Sequence, residues 1–135
     1  MALGARKETH MIQTGIRRYT LGKFEQIVDA VVYSASLDGW EEAWFGDGDI
    51  GYYASLVPVP SAADAQTFAQ ELGYCLNYEE VSYLLHYSHA IVSSDSQGFV
   101  YVEYFETEDE ARDSFQIREE SFYIEYAEFY DGAEY

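Results

Sequence analysis

From Phe24 to Ala111 the chain runs for 88 residues without a lysine or arginine. From Phe24 to Tyr135 it sets 24 Asp and Glu against two bases, Arg112 and Arg118. The other bases, Arg6, Lys7, Arg17, Arg18 and Lys23, fall in the first 23 residues, opposed there only by Glu8. Proteins that grip a nucleic-acid backbone place Lys and Arg against its phosphates, so this deficit argues against direct nucleic-acid binding. Cysteine is almost as scarce. Cys75 stands alone, which rules out an internal disulfide framework and suits a reducing cytoplasm. No apolar run approaches the ~20 residues of a membrane helix. No apolar stretch follows Arg6 and Lys7 as a secretory signal requires, so the expected location is cytoplasmic. There is no Gly-rich phosphate cradle, Walker pattern or nucleophile elbow.

What is present is a folding composition under a heavy charge. The net charge is −18, yet 48% of residues are apolar, with 14 Tyr, eight Phe and two Trp. Disordered chains combine high charge with few aromatics, whereas this one carries enough to bury a core at 135 residues. The expectation is a flexible N-terminal arm over 1–12 and a single acidic domain over 13–135. Met11 offers a second initiator, and removing residues 1–10 leaves the charge conclusion intact.

Apolar positions Phe24, Ile27, Val28, Val31 and Val32 predict a helix within Leu21 to Ser36, closed by Asp38-Gly39. An extended aromatic segment follows, with alternation over 50–57 stopped by Pro58 and Pro60, which predicts an edge strand. Ser61 opens a helix that buries Ala65, Phe68, Ala69 and Leu72 and ends at Gly73. Asn77 and Glu80 form a capping box before Val81, Leu84 and Leu85. His89 to Phe105 reads as a hairpin with Ser93 to Gly98 as its loop. Its second strand sets Val100, Val102 and Tyr104 on the core face and Phe99, Tyr101, Glu103 and Phe105 on the other. Thr107-Glu108-Asp109-Glu110 is a second capping box. It starts a long helix through Ala111, Phe115, Phe122, Tyr126 and Phe129 to about Tyr130. The predicted class is α+β, a single small domain with helices on one face of a small antiparallel sheet.

Chemistry is thinly signalled. His86 and His89 lie three apart, near Glu79 and Glu80, but lack the four-residue spacing and further ligands of a helical zinc site. A helix end that favours histidine accounts for His86. Asp47-Gly48-Asp49 lacks the later acids and closing Glu of a calcium loop, and Cys75 reads as a packed small hydrophobe. Pairs such as Glu41/Glu42, Glu79/Glu80 and Glu119/Glu120 are expected by chance among 25 acids. No catalytic residue, metal or cofactor is expected, and the protein is not read as an enzyme.

The field itself is the functional signal, because self-repulsion on this scale opposes folding and implies a basic partner. Candidate partner-binding residues are Glu41, Glu42, Asp47 and Asp49 in the aromatic segment, with Glu103, Glu106, Glu108, Asp109, Asp113, Glu120, Glu125 and Glu128 around the C-terminal helix. Carboxylates three or four residues apart on a helix stand ~5–6 Å apart and imitate a phosphate array. Tyr123 and Tyr130 would lie among them as flat contacts. Glu41 to Asp49, Glu103-Tyr104-Phe105-Glu106-Thr107-Glu108-Asp109-Glu110 and the Tyr/Glu-rich tail to Tyr135 give the chain a composition that resembles the acidic DNA-mimic inhibitors of phages and mobile elements, the anti-restriction and anti-CRISPR class. The resemblance implies a protein that binds the basic nucleic-acid groove of a nuclease or CRISPR effector complex in a host bacterium and competes with DNA or RNA. It transfers no residue role. An immunity protein or antitoxin against a basic nuclease, a halophilic or housekeeping domain, and a small enzyme are the alternatives.

Overall fold

A computed structural model describes residue 12 and residues 15–20, 22–38, 41–47 and 50–117. The elements, in order, are β1 (Arg17–Thr20), α1 (Ile27–Ser36), β2 (Glu41–Asp47), β3 (Ile50–Pro58), α2 (Ala62–Glu71), α3 (Tyr78–His86), β4 (His89–Asp95) and β5 (Phe99–Phe105). A further helix, α4, covers residues 108–117. The strands form one antiparallel sheet in the order β1-β5-β4-β3-β2. The α+β class and the antiparallel sheet are as the sequence predicts.

Alternation along the strands divides the sheet into two working faces. Val57, Ala90, Val92, Val100 and Val102 point to one face, where Val28, Val31, Val32 and Ala35 of α1, Ala65 and Ala69 of α2 and Leu84 of α3 close over them. Ala54, Leu56 and Ile91 point to the other, where Ala111 of α4 joins them with Phe105 and Phe115 packed alongside. Helices therefore cover both faces, and the expected one-sided layer is corrected. Phe105 shares the alternation of Glu103 yet is apolar because α4 folds back over that end of the face. The long C-terminal helix is not supported. Helix is described over 108–117, and its continuation through Phe122, Tyr126 and Phe129 falls outside the described residues.

Local chemistry explains most boundaries. Ser61 Oγ accepts from the Asp64 N–H at 3.2 Å, and Asn77 and Glu80 complete a reciprocal capping box. Thr107 Oγ1 accepts from the Glu110 N–H at 3.1 Å, which fixes the start of α4. The β4–β5 turn is tighter than expected because the strand continues through Ser93 and Ser94 to Asp95. The Asp95 carboxylate then accepts from the Gln97 and Phe99 N–H groups at 2.9 and 3.1 Å, while Gly98 takes φ +93°, a conformation that suits glycine.

Further expectations need correction. β3 lies inside the sheet, between β4 and β2. Pro58 is tolerated because it ends the strand, and the next ladder-like bond, Val59 N–H to Ser88 O at 2.9 Å, belongs to a residue that has a donor. Leu72 and Leu85 are exposed, since Leu72 follows the last turn of α2 and Leu85 lies a residue round α3 from the packed stripe of Leu84. Leu76 is buried instead. Its N–H donates to Gln66 Oε1 at 3.0 Å, and its carbonyl accepts from Gln66 Nε2 at 2.9 Å. Cys75 is exposed rather than packed.

Candidate acidic interface

Carboxylates in this fold occupy two contrasting settings, and the interior one defines what is left for the surface. Asp29 sits on α1 among the valines and is fully buried. Arg17 of β1 reaches it with Nε to Oδ2 at 2.6 Å and Nη2 to Oδ1 at 2.8 Å. Tyr19 donates its hydroxyl to Oδ2, and Tyr104 of β5 donates to Oδ1 at 2.6 Å. Each oxygen thus accepts two hydrogen bonds, which a desolvated carboxylate needs. Burial would lower the Arg17 guanidinium, but hydrogen bonding and charge attraction from Asp29 outweigh it and hold it far above the ordinary arginine value. Burial, reinforced by the Asp29 carboxylate, raises the Tyr19 and Tyr104 hydroxyls well above the usual tyrosine range. Tyr83 extends the cluster, accepting from Arg17 Nη2 at 3.3 Å and packing edge-on against Tyr104.

This network spends one of the few bases internally. Arg18 lies 3.8 Å from the Phe99 ring centre, and Arg112 donates to Glu108 at 2.8 Å within α4. Arg112 holds the Glu108 carboxyl below the usual range through its hydrogen bond and charge.

β5 and α4 bring five of the sequence-predicted residues to one region. Glu103 is half-buried on the sheet face that α4 covers, opposite Ile91 in the register. Glu106 is exposed in the connection, with its Oε2 3.0 Å from His86 Nε2 at the end of α3. Asp109 and Asp113 are exposed on the side of α4 opposite its packed residues Ala111 and Phe115, while Glu108, three residues before Ala111, is exposed beside the packed stripe. Among the described residues no base pairs with Asp109 or Asp113. Their spacing of four places them on one stripe, and the acids of the first turn also favour the positive end of the helix dipole.

The other candidates are not gathered there. Glu42 is exposed on β2, three strand positions from β5, or roughly 14 Å at the usual spacing. It pairs with Ser55 and so belongs to the face opposite that of Glu103. Glu41 and Asp47 are placed on β2 by the backbone register, and their side chains fall outside the described part. Asp49, Glu120, Tyr123, Glu125, Glu128 and Tyr130 also lie outside it.

His89 Nδ1 lies 2.9 Å from the Ser88 hydroxyl, away from the His86–Glu106 pair. Among the described residues no three His, Cys, Asp or Glu side chains converge as a metal site would need, and no helix is long and apolar enough to cross a membrane. The residues that sequence reasoning missed are Asp29 and its tyrosines. Their one signal is an acid set within the valine run of α1. No protein-family model, curated protein or solved structure matches the chain.

Proposed function

We propose that this protein is an acidic inhibitor that occupies the basic nucleic-acid-binding surface of another protein, a host-defence nuclease or effector complex, and competes there with DNA or RNA. The observation that carries this reading is the exposed series Glu106, Glu108, Asp109 and Asp113 about a capped helix start, in which Asp109 and Asp113 pair with no described base. The capped helix sets the backbone positions of these charges before contact, which lowers the cost of ordering them on binding. Neighbouring acids on α4 lie closer together than the ~8 Å over which physiological salt screens them, so their potentials add. Duplex DNA presents one charge per ~1.7 Å of axis, and a groove built for that array attracts a dense carboxylate surface for the same reason.

The test is competition. A purified effector with a basic duplex channel is titrated with the protein, with the channel empty and then with it filled by a saturating DNA duplex. Occupied channels are expected to refuse the protein, and added duplex to release it. Unchanged binding to filled channels contradicts the reading.

A further inference from the structure

The sheet face that carries Glu103 also holds a pocket of about 290 Å³, lined by Ile16, Tyr52, Ser93, Asp95 and Tyr101. Its walls are two tyrosines and an isoleucine, and its polar groups come from neighbouring positions of β4 and β5. Ser93 is 4% exposed, and its Oγ has no hydrogen-bond partner among the described residues. A buried hydroxyl in that condition is uncommon and calls for an explanation. Asp95 supplies the charge. Burial would raise its carboxyl, but hydrogen bonds from the Phe99 N–H, the Tyr101 hydroxyl and the Gln97 N–H outweigh this and hold it below the usual carboxylate range. The Tyr101 hydroxyl donates to Asp95 Oδ2 at 3.1 Å, which fixes the ring and carboxylate relative to one another.

Two acceptors between aromatic walls suit a flat cation with several in-plane donors. We propose that this pocket is an arginine subsite that receives one arginine side chain of the basic partner, with the guanidinium donating to Asp95 and Ser93 Oγ. This rests on the reading of the protein as a ligand for a basic surface. The guanidinium face lies along Tyr52 and Tyr101, a contact that arginine makes better than lysine, and the aliphatic stem covers Ile16. The same face already holds a guanidinium over an aromatic ring, Arg18 over Phe99. Arg18 is a like charge on this face, and it is engaged with the Phe99 ring, whereas Asp95 lines the pocket itself. Tyr101 and Glu103 are alternate residues of β5, so the pocket is continuous with the acidic region described above.

The test uses the full chain and acetyl-Gly-Arg-Gly-amide, with the lysine and norleucine analogues as controls, followed by backbone amide shifts in NMR. The arginine peptide is expected to shift Ser93, Asp95 and Tyr101 saturably and to bind at least about tenfold tighter than the lysine peptide, the size of one charge-assisted hydrogen bond. Ser93→Ala removes an unpartnered hydroxyl, so the variant is expected to fold with undiminished stability and yet bind the arginine peptide several-fold more weakly. Asp95→Asn keeps the turn acceptor and is expected to lose about tenfold or more. Equal binding of the arginine and lysine peptides, shifts confined to other residues, or an unaffected Ser93→Ala variant each overturns the subsite. Peptide binding at these residues in a protein that ignores basic nucleic-acid-binding grooves would leave the subsite standing and reject the inhibitor reading.

Discussion

Asp29 and Asp109 are the same residue type on two helices of one domain, and they are used in opposite ways. Asp29 is fully buried and accepts four hydrogen bonds, two from Arg17 and one each from Tyr19 and Tyr104. Asp109 is exposed at the start of α4 and pairs with no described base. The first carboxylate is neutralised and ties β1, α1 and β5 together. The second is solvated and contributes field. Net charge alone does not separate a carboxylate that holds the fold from one that is available to a partner; burial and pairing do.

The largest effect is expected from the interior. Asp29→Ala leaves the half-buried Arg17 without its anion and removes the acceptor for two tyrosines, a loss of about 3–5 kcal/mol. A thermal melt checks it, with a fall of roughly ten degrees or more expected for a domain of this size. If Asp29→Ala melts within a degree or two of the parent, the contrast between the two carboxylates collapses.

A pH titration sharpens the same contrast. Tyr19 and Tyr104 have hydroxyls raised by burial and by Asp29, whereas in the unfolded chain they ionise near the ordinary value of ~10. The stabilisation from keeping them neutral is complete below that value and is lost as the pH rises above it. Absorbance at the tyrosinate band is expected to rise in two stages, exposed tyrosines first and this pair only with unfolding. One smooth transition that includes all tyrosines while the fold persists would contradict the buried network.

A smaller effect belongs to a carboxylate with a local task. Glu80 of α3 accepts from the Asn77 N–H at 2.9 Å while Asn77 accepts from the Glu80 N–H at 2.8 Å. Asn77→Ala is expected to cost about 1 kcal/mol by denaturant melt, in the range for lost helix caps. A loss as large as that of Asp29→Ala would place structural weight on the surface acids as well.

The legibility of the chain follows the same division. Features decided by near neighbours were readable: the caps at Ser61, Asn77 and Thr107, the valine face of α1, and the alternation of β5. Features decided by distant partners were not. Asp29 finds its donors 10, 12 and 75 residues away, so its role depends on the fold that it helps to close. β1 has four residues with only Tyr19 buried, too short for a pattern, and gains its place through pairing with β5. The interior position of β3 was hidden because Pro58 suggested an edge, while the strand in fact ends there. Of the candidate interface, Glu103 through Asp113 was legible as a cluster because strand, connection and helix follow in sequence. The distance of Glu42 from that cluster depends on strand order, which local pattern does not encode.

The most direct test of the central claim neutralises the exposed carboxylates and leaves the interior alone. The triple variant Glu106→Gln, Asp109→Asn, Asp113→Asn is compared with the parent for melting temperature and for binding to a basic duplex channel at about 50 and 200 mM salt, the range in which phosphate-like contacts weaken strongly. The melt is predicted to stay within a few degrees of the parent's, about the size of a lost helix-dipole charge and one exposed ion pair. A binding loss of about tenfold or more at low salt and a flatter salt dependence are predicted, each removed contact reducing the slope by roughly one. Equal affinity and an equal salt slope in parent and variant would contradict it.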